Sequence, residues 1–460
     1  MPAEILRPRP GLLARLGLGT PALRAWALYD CANSAAVTSI LTAIFPIYFV
    51  SVVAADLPPA LATQRYALAT TASLVLVAVL SPFVGAIADV RPVKKRMLAA
   101  FMALGVFASA SLFFVSRGDS LLGTALLVLV NVGLNGSFVF YDALLPHVAR
   151  EDELDRVSAA GYAIGYLGGG LLLAVQLVLI LYPGLLGLPA GAAATPAQAT
   201  FPARLAFLTT AIWWAVFTIP LLRRVPEPRI AAEAHGGAPL TFRAALTRLG
   251  STFRTLSRHR QATLMLIAFL LYNDGIGTII RMATAFGTEI GLGSGALIAA
   301  ILLVQFVGIP FSFLFGSIAE KIGAKRAVLG GLAVYTGIAV LAYFTRTEAH
   351  FFALAFLVAT VQGGTQALSR SLFAALVPRH LSGEFFAFFG VAEKFAGIFG
   401  PAVFATTIAV TGSSRTAVLS VIAFFAVGAL ILLGVDVEAG QREARAADAV
   451  AGPPARVATP

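Results

Sequence analysis

The sequence predicts an all-α membrane protein with twelve transmembrane helices in two six-helix bundles. Three observations predict it. Twelve apolar stretches run along the 460 residues, each about the 20 residues that a helix rising 1.5 Å per residue needs to cross a bilayer. Lys and Arg crowd into every second gap between them, and the second half of the chain echoes the first. With 58% hydrophobic and 12% charged residues and a mean hydropathy of +0.87, polar surface is too scarce to cover a soluble globule of this length.

Taken in order, the expected spans are 21–52, 66–88, 98–116, 120–145, 157–182, 203–222, 262–288, 295–319, 326–345, 350–377, 384–411 and 415–435. Counting Arg24 and Arg326, at the very ends of their spans, with the adjoining segments, the tail before span 1, the even-numbered gaps and the C-terminal tail hold 25 of the 33 basic residues. The odd-numbered gaps, with the span ends that border them, hold one each at most: Arg65, Arg117, Arg204, Arg346 and Arg415. Short loops rich in Lys and Arg stay in the cytoplasm, so both termini are expected there, in a cell (inner) membrane.

The tail 1–20 carries Arg7, Arg9 and Arg15 without a continuous apolar core, so no removable signal peptide is expected. Residues 21–222 form the expected N-terminal bundle and 262–436 the C-terminal one. Between them, 223–261 is the longest polar segment. Its Phe242, Leu246, Leu249, Phe253 and Leu256 recur at helical spacing among arginines, the pattern of a basic amphipathic helix on the membrane surface. Residues 437–460 are expected to be a disordered cytoplasmic tail. A net charge of +11, dispersed over loop ends, reads as a determinant of topology and a contact for anionic lipid rather than for nucleic acid. The single cysteine, Cys31, excludes an intrachain disulfide and a cysteine metal cluster.

The halves echo each other at a nearly constant offset. GAIAD at 85–89 returns as GSIAE at 316–320, Lys94-Lys95 as Lys325-Arg326, Pro146 as Pro378, and Gly165 and Gly168 as Gly397 and Gly400. Tyr29-Asp30 faces Tyr272-Asn273-Asp274. Parallel repeats of this kind build many secondary transporters, with the substrate between them near the midplane. The tetrad of Gly85, Asp89, Lys94 and Lys95, repeated as Gly316, Glu320, Lys325 and Arg326, suits a gating loop: glycine permits close helix approach, and a carboxylate at a helix end can pair in one conformation and release in the other. Pro92 stands where the second copy has Gly323.

These tetrads resemble the loop signature of the major facilitator superfamily. WALYDCANSA at 26–35, GGTQALSRSLFAALVP at 363–378 and GEFFAFFGVAEKFAGIFGP at 383–401 are similar to its branch of fungal vacuolar amino-acid effluxers and their bacterial relatives. The resemblance covers nearly the whole chain and implies the major facilitator fold and a transporter, expected to export amino acids or similar small solutes. It brings no set of binding residues with it.

The intramembrane charges are therefore read on their own. Asp30, Asp142, Asp274 and Glu393 stand against Arg281, Arg370 and Lys394. Each unpaired charge at the centre of a helix costs roughly 2.5–3.5 kcal/mol on insertion scales, so ion pairs around a wet cavity are expected. Four spans carry single polar stripes: Asp30, Ser34 and Thr38; Asn131, Asn135 and Asp142; Asp274, Thr278 and Arg281; Gln362, Gln366 and Arg370. They are spans 1, 4, 7 and 10, equivalent places in the halves, which the resemblance makes the cavity-lining helices. Asn33, Glu393 and Lys394 complete the candidate set for substrate or proton. The aspartates suit a proton or an amine, and Arg281 and Arg370 suit a carboxylate, which a guanidinium grips with two parallel bonds. Gly161, Gly165 and Gly168, and likewise Gly390, Gly397 and Gly400, suit close helix contact, with no substrate role expected.

No Walker loop and no His-Glu-x-x-His spacing occurs, so the chain is not expected to be an enzyme, to hold a cofactor or metal, or to hydrolyse ATP. A secondary transporter remains, expected to work as a monomer on a small-molecule substrate and protons. Efflux of a hydrophobic cation and a non-transporting membrane sensor are the alternatives.

Overall fold

The computed structural model describes residues 13, 18–90, 93–149, 154–189, 191–227, 242–378, 381, 385, 388–390, 392–393 and 397–451. Side chains at 81–90, 146, 154–156, 158–159, 192, 242–246, 248–249, 313 and 450–451 lie outside the described ones.

Helix α1 spans Pro21–Val53. Thr20 starts it, its hydroxyl accepting the Leu23 N–H at 3.2 Å, with Pro21 in the first turn. Within α1 the helix widens to π geometry over Val37–Ile44 and Phe49–Val53, with the α-helical turn Phe45–Tyr48 between them. Then come α2 Pro59–Val90, α3 Lys94–Ser111, α4 Ser120–Val148, α5 Leu154–Leu181 and α6 Pro196–Arg224. Helix α2 begins seven residues and α6 likewise seven residues before the expected spans, because Pro59 and Pro196 suit a first helical turn; α6 also opens on a capping box between Thr195 and Gln198.

The amphipathic segment after α6 contains α7, Phe242–Leu256. The second bundle follows as α8 Arg260–Glu289, α9 Ser294–Ile322, α10 Ala324–Tyr343, α11 Glu348–Leu376, α12 Phe399–Thr411 and α13 Ser414–Leu433. Among the described residues, eleven helices are long and apolar enough to cross a membrane; α12, at 13 residues, is a shorter apolar helix. The expected span 384–411 holds α12 and further helical residues at 385, 388–390 and 392–393. One expectation is corrected: the tail after 436 is not disordered over its described part but forms helix α14, Val437–Ala451.

The packing repeats. In the first half α1 lies against α5 and α6, α2 against α4, and α3 against α4 and α6. In the second, α8 lies against α13 and α12, α9 against α11, and α10 against α11 and α13. Each contact in one half maps onto one in the other, the spatial form of the sequence echo. Between halves α2 meets α12, α5 meets α9, and the second part of α1 meets α8. Small residues allow the closest approaches, as in soluble and membrane bundles alike: a methyl on Gly133 of α4 would lie 2.5 Å from Gly105 Cα of α3.

Candidate functional site

Successive spans run antiparallel, so the bundle has an odd face carrying the odd-numbered connections and an even face carrying the others. The halves close on each other in the odd-face half of the bundle. There Gln305 Nε2 donates to Thr38 Oγ1 at 2.8 Å, Thr284 Oγ1 to the Thr42 carbonyl at 2.7 Å, and Gln64 Nε2 to the Ala405 carbonyl at 3.3 Å. Toward the even face, Asp142, Tyr162 and Arg370 are exposed. A central cavity of ≈ 390 Å³ lies between these zones, within the size range of small-molecule sites.

Its wall is unequal. The first half supplies polar groups: Asp30, Ser34, Thr38 and Thr42 of α1 with Tyr162 and Tyr166 of α5. The second half supplies a mainly apolar surface, among it Ile280, Phe286, Val304, Phe351 and Val358, relieved by Gln305 and Gln362. The sequence reading passed over Tyr162, Tyr166 and Gln305. A lone glutamine in the apolar run of span 8 was the available signal, since a polar side chain at membrane depth faces protein or a cavity.

Asp30 is 5% exposed. Ser34 Oγ donates to its Oδ1 at 3.3 Å, and among the described residues no cation lies at ion-pair distance. It fits because α5 turns glycines to it: a methyl on Gly165 would lie 2.6 Å from Ser34 Oγ and 3.2 Å from the Asp30 carboxyl carbon. Helix α5 is unbroken, so its N–H groups are spent within the helix and offer Asp30 nothing.

Asp274 occupies the corresponding place on α8 and meets another fate. It is 2% exposed, away from the cavity, and its Oδ2 accepts the Gly400 N–H at 2.8 Å. Gly400 lies in the first turn of α12, where N–H groups have no partner within the helix, and an anion there is held by both hydrogen bond and helix dipole. Gly400 and Gly397 crowd Thr278, Asp274 and Arg281 as Gly165 and Gly168 crowd α1, whereas Gly390 faces open space. Arg281 is largely enclosed, and its Nη1 has no hydrogen-bond partner among the described residues.

Arg370 reaches across the cavity mouth. Its Nη1 donates to Tyr162 OH at 3.0 Å, and its Nη2 lies 3.7 Å from Glu393 Oε2. Asn273 Nδ2 donates to Glu393 Oε1 at 3.4 Å. Gln362 lines the cavity and Gln366 is half-buried one turn on. Asn135 donates back to the Asn131 carbonyl at 2.9 Å, and Asn131 to that of Leu127 at 3.1 Å, so the amides of α4 serve their own helix. Asn33 is fully buried, and neither of its amide atoms has a hydrogen-bond partner among the described residues. Lys394 lies outside the described residues.

The two loop tetrads are not twins. Gly85 and Asp89 sit in the last turns of α2, their surroundings outside the described side chains. Lys94, 7% exposed, places its ammonium 3.0 Å from His147 Nε2. Burial first, and the Lys94 charge second, lower the His147 pKa, which favours a neutral, accepting ring. The Lys95 N–H is held by the Glu227 carboxylate at 3.1 Å, an acidic cap on α3. In the second copy Gly316 meets open space, and Glu320 and Arg326 are exposed. Lys325 Nζ donates to the carbonyls of Leu433 and Val435 at 2.9 and 2.8 Å, closing the end of α13. Among the described residues no group of acids, histidines or cysteine could hold a metal ion.

Known proteins share this architecture. The nucleoside transporter NupG superposes with a TM-score of 0.64 at 14% identity, over 90% of this chain and 99% of its own. A D-xylose–proton symporter gives the same TM-score and identity over 90% and 96%. At this identity they show the fold alone. In sequence, the MFS-type transporter YxiO of Bacillus subtilis, itself uncharacterized, is 38% identical over 90% of this chain and 94% of its own length. Autophagy-related protein 22 of Pyricularia oryzae is 25% identical over 83% of this chain, which spans 66% of that longer protein. The family described as "Vacuole effluxer Atg22 like" matches residues 59–445. The repeated bundles, the central cavity and this match agree, and the chain belongs to the vacuole effluxer Atg22-like family of MFS-type membrane transporters.

Proposed function

We propose that this transporter carries a small amphoteric solute, an amino acid with an apolar side chain or a close relative, across the cell membrane, with both termini in the cytoplasm. Residues 21–222 rock against 262–436 about the cavity, and the loop tetrads gate the even face. Asp30 carries the reading. A buried carboxylate with one weak hydroxyl donor and, among the described residues, no cation beside it invites an ammonium, or a proton when the site is empty. Opposite lies an apolar wall fit for a side chain. The carboxylate falls to Arg370, which Tyr162 and Glu393 hold at the mouth and which a bidentate anion displaces from them. Asp142, Asp274, Arg281, Asn33, Asn135, Gln362, Gln366, Glu393 and Lys394 remain proposed members of this network.

The test is ligand stabilisation of the purified protein by leucine, isoamylamine and isovalerate. A ligand at 100 times its Kd stabilises by about 2.7 kcal/mol. Leucine should stabilise well beyond either half-analogue, and more weakly in Arg370→Lys, which keeps charge but loses the planar fork. Equal stabilisation by isoamylamine would instead favour the hydrophobic cation, a reading the apolar wall supports. Export is the direction proposed. Emptying a vacuole, however, delivers solute to the cytosol, which in a cell membrane is uptake, so leucine flux from loaded right-side-out vesicles decides between them.

A further inference from the structure

The odd-face half of α1 contains Pro46, and proline has no N–H to give. In α geometry that N–H would have bonded the carbonyl four residues back, Thr42; in π geometry, the one five back, Leu41. Here α1 passes from π to α geometry at this point, so both carbonyls are candidates to be left empty. Both draw a side-chain donor from another helix. Tyr66 OH of α2 donates to the Leu41 carbonyl at 3.3 Å, and Thr284 Oγ1 of α8 to the Thr42 carbonyl at 2.7 Å. The first bond stays within its own half. The second joins the halves.

We propose that Pro46 is a positioning residue of the transport cycle. By emptying the Thr42 carbonyl, and by tilting it outward through the clash of its ring with that oxygen, Pro46 makes the acceptor through which Thr284 latches the odd face shut. The device is placed to report on the site. Thr42 and Thr38 line the same cavity as Asp30, on the same helix, and Thr38 receives another cross-half bond, from Gln305. When α8 swings away, Thr284 keeps a partner, because a helical threonine hydroxyl can turn back to a carbonyl of its own helix. In the α geometry that begins at Phe45, the Thr42 carbonyl has lost its backbone donor to Pro46 and waits for re-closure. The latch therefore favours the closed odd face without trapping it. This inference needs only the rocking of the halves and is independent of the proposed substrate.

The experiment places spin labels at Arg117→Cys and Arg346→Cys, exposed odd-face sites in opposite halves, in a full-length Cys31→Ser background in lipid, and reads their distance distribution. Thr284→Val should raise the ratio of long to short distances about threefold, the scale of an average interhelical hydrogen bond in a membrane; Thr284→Ser should not. Pro46→Ala should shift the distribution in the same direction, and adding Thr284→Val to it should shift it little further. Tyr66→Phe, which removes the bond inside one half, should lower Tm and leave the distances alone. A wild-type distribution in Pro46→Ala, full additivity with Thr284→Val, or a Tyr66→Phe shift equal to that of Thr284→Val would each overturn the proposal. If Pro46→Ala does not fold, identical distributions for Thr284→Val and Thr284→Ser overturn it alone.

Discussion

At the scale of residues, two aspartates that read alike in sequence part company. Asp30 and Asp274 each precede a hydroxyl by one turn, on equivalent spans, against glycines of an equivalent neighbour. What separates them is whether that neighbour has a free N–H. Helix α5 runs unbroken past Asp30, whereas α12 starts at Phe399, so that Gly400 can donate to Asp274. Asp274→Asn should therefore weaken a charge-assisted bond that ties α8 to α12 and cost about 1.5–3 kcal/mol, seen as a lower Tm. Gly400→Ala should do likewise, since its methyl meets Thr278 Oγ1 and lies 2.7 Å from Asp274 Oδ1. Asp30→Asn should abolish leucine-dependent stabilisation while keeping Tm near wild type. A large fall in Tm for Asp30→Asn, with transport intact, would exchange the two roles.

Among elements, α14 is the one least expected. Charged residues and no long apolar run made 437–460 read as a tail, yet the helix docks on the ends of α8 and α11. Gly440 makes the seat: a methyl there would meet Leu376 and lie 2.9 Å from Gln261 Cβ. Asp436 accepts the Ala439 N–H at 2.9 Å and gives its own N–H to Gln261 Oε1 at 2.8 Å. Glu443 Oε1 lies 3.4 Å from His259 Nδ1, and with the carboxylate half-exposed the contact is worth little. Truncation after residue 436 should lower Tm by uncovering Leu376, and Gly440→Leu should match it while Glu443→Gln stays near wild type. Equal effects from the last two would make the Glu443–His259 contact, not the seat, the anchor.

For the whole molecule, the repeat gives the frame and its breaches give the site. The halves pack alike, but the first offers the cavity polar groups and the second a mainly apolar wall. A solute bound between them has one end that is charged and one that is not. The frame also predicts orientation. In the Cys31→Ser background, an impermeant thiol reagent added to sealed cells should label Arg117→Cys and Arg346→Cys and leave Lys95→Cys and Arg326→Cys unlabelled. Labelling of the second pair alone would turn the protein over in the membrane.

How far each level was legible follows from the range of the forces involved. Span number, the repeat and the polar stripes were readable because burial in lipid imposes about 20 apolar residues per crossing and polar groups at membrane depth must face inward. The sequence by itself therefore determined a twelve-span repeat with α1, α4, α8 and α11 bearing the polar stripes. It could not say which charges meet. Lys325 caps α13, Glu227 caps α3, Arg370 finds Tyr162, and the amides of α4 turn on their own helix; each depends on a partner tens to hundreds of residues away or on a choice between two acceptors within reach. Only the tertiary structure decided that Asp30 faces the cavity while Asp274 is spent on a helix start, and that the carbonyls freed by Pro46 fall against Tyr66 and Thr284. Helical period places a residue on a face; what the face meets is settled by the packing of other helices.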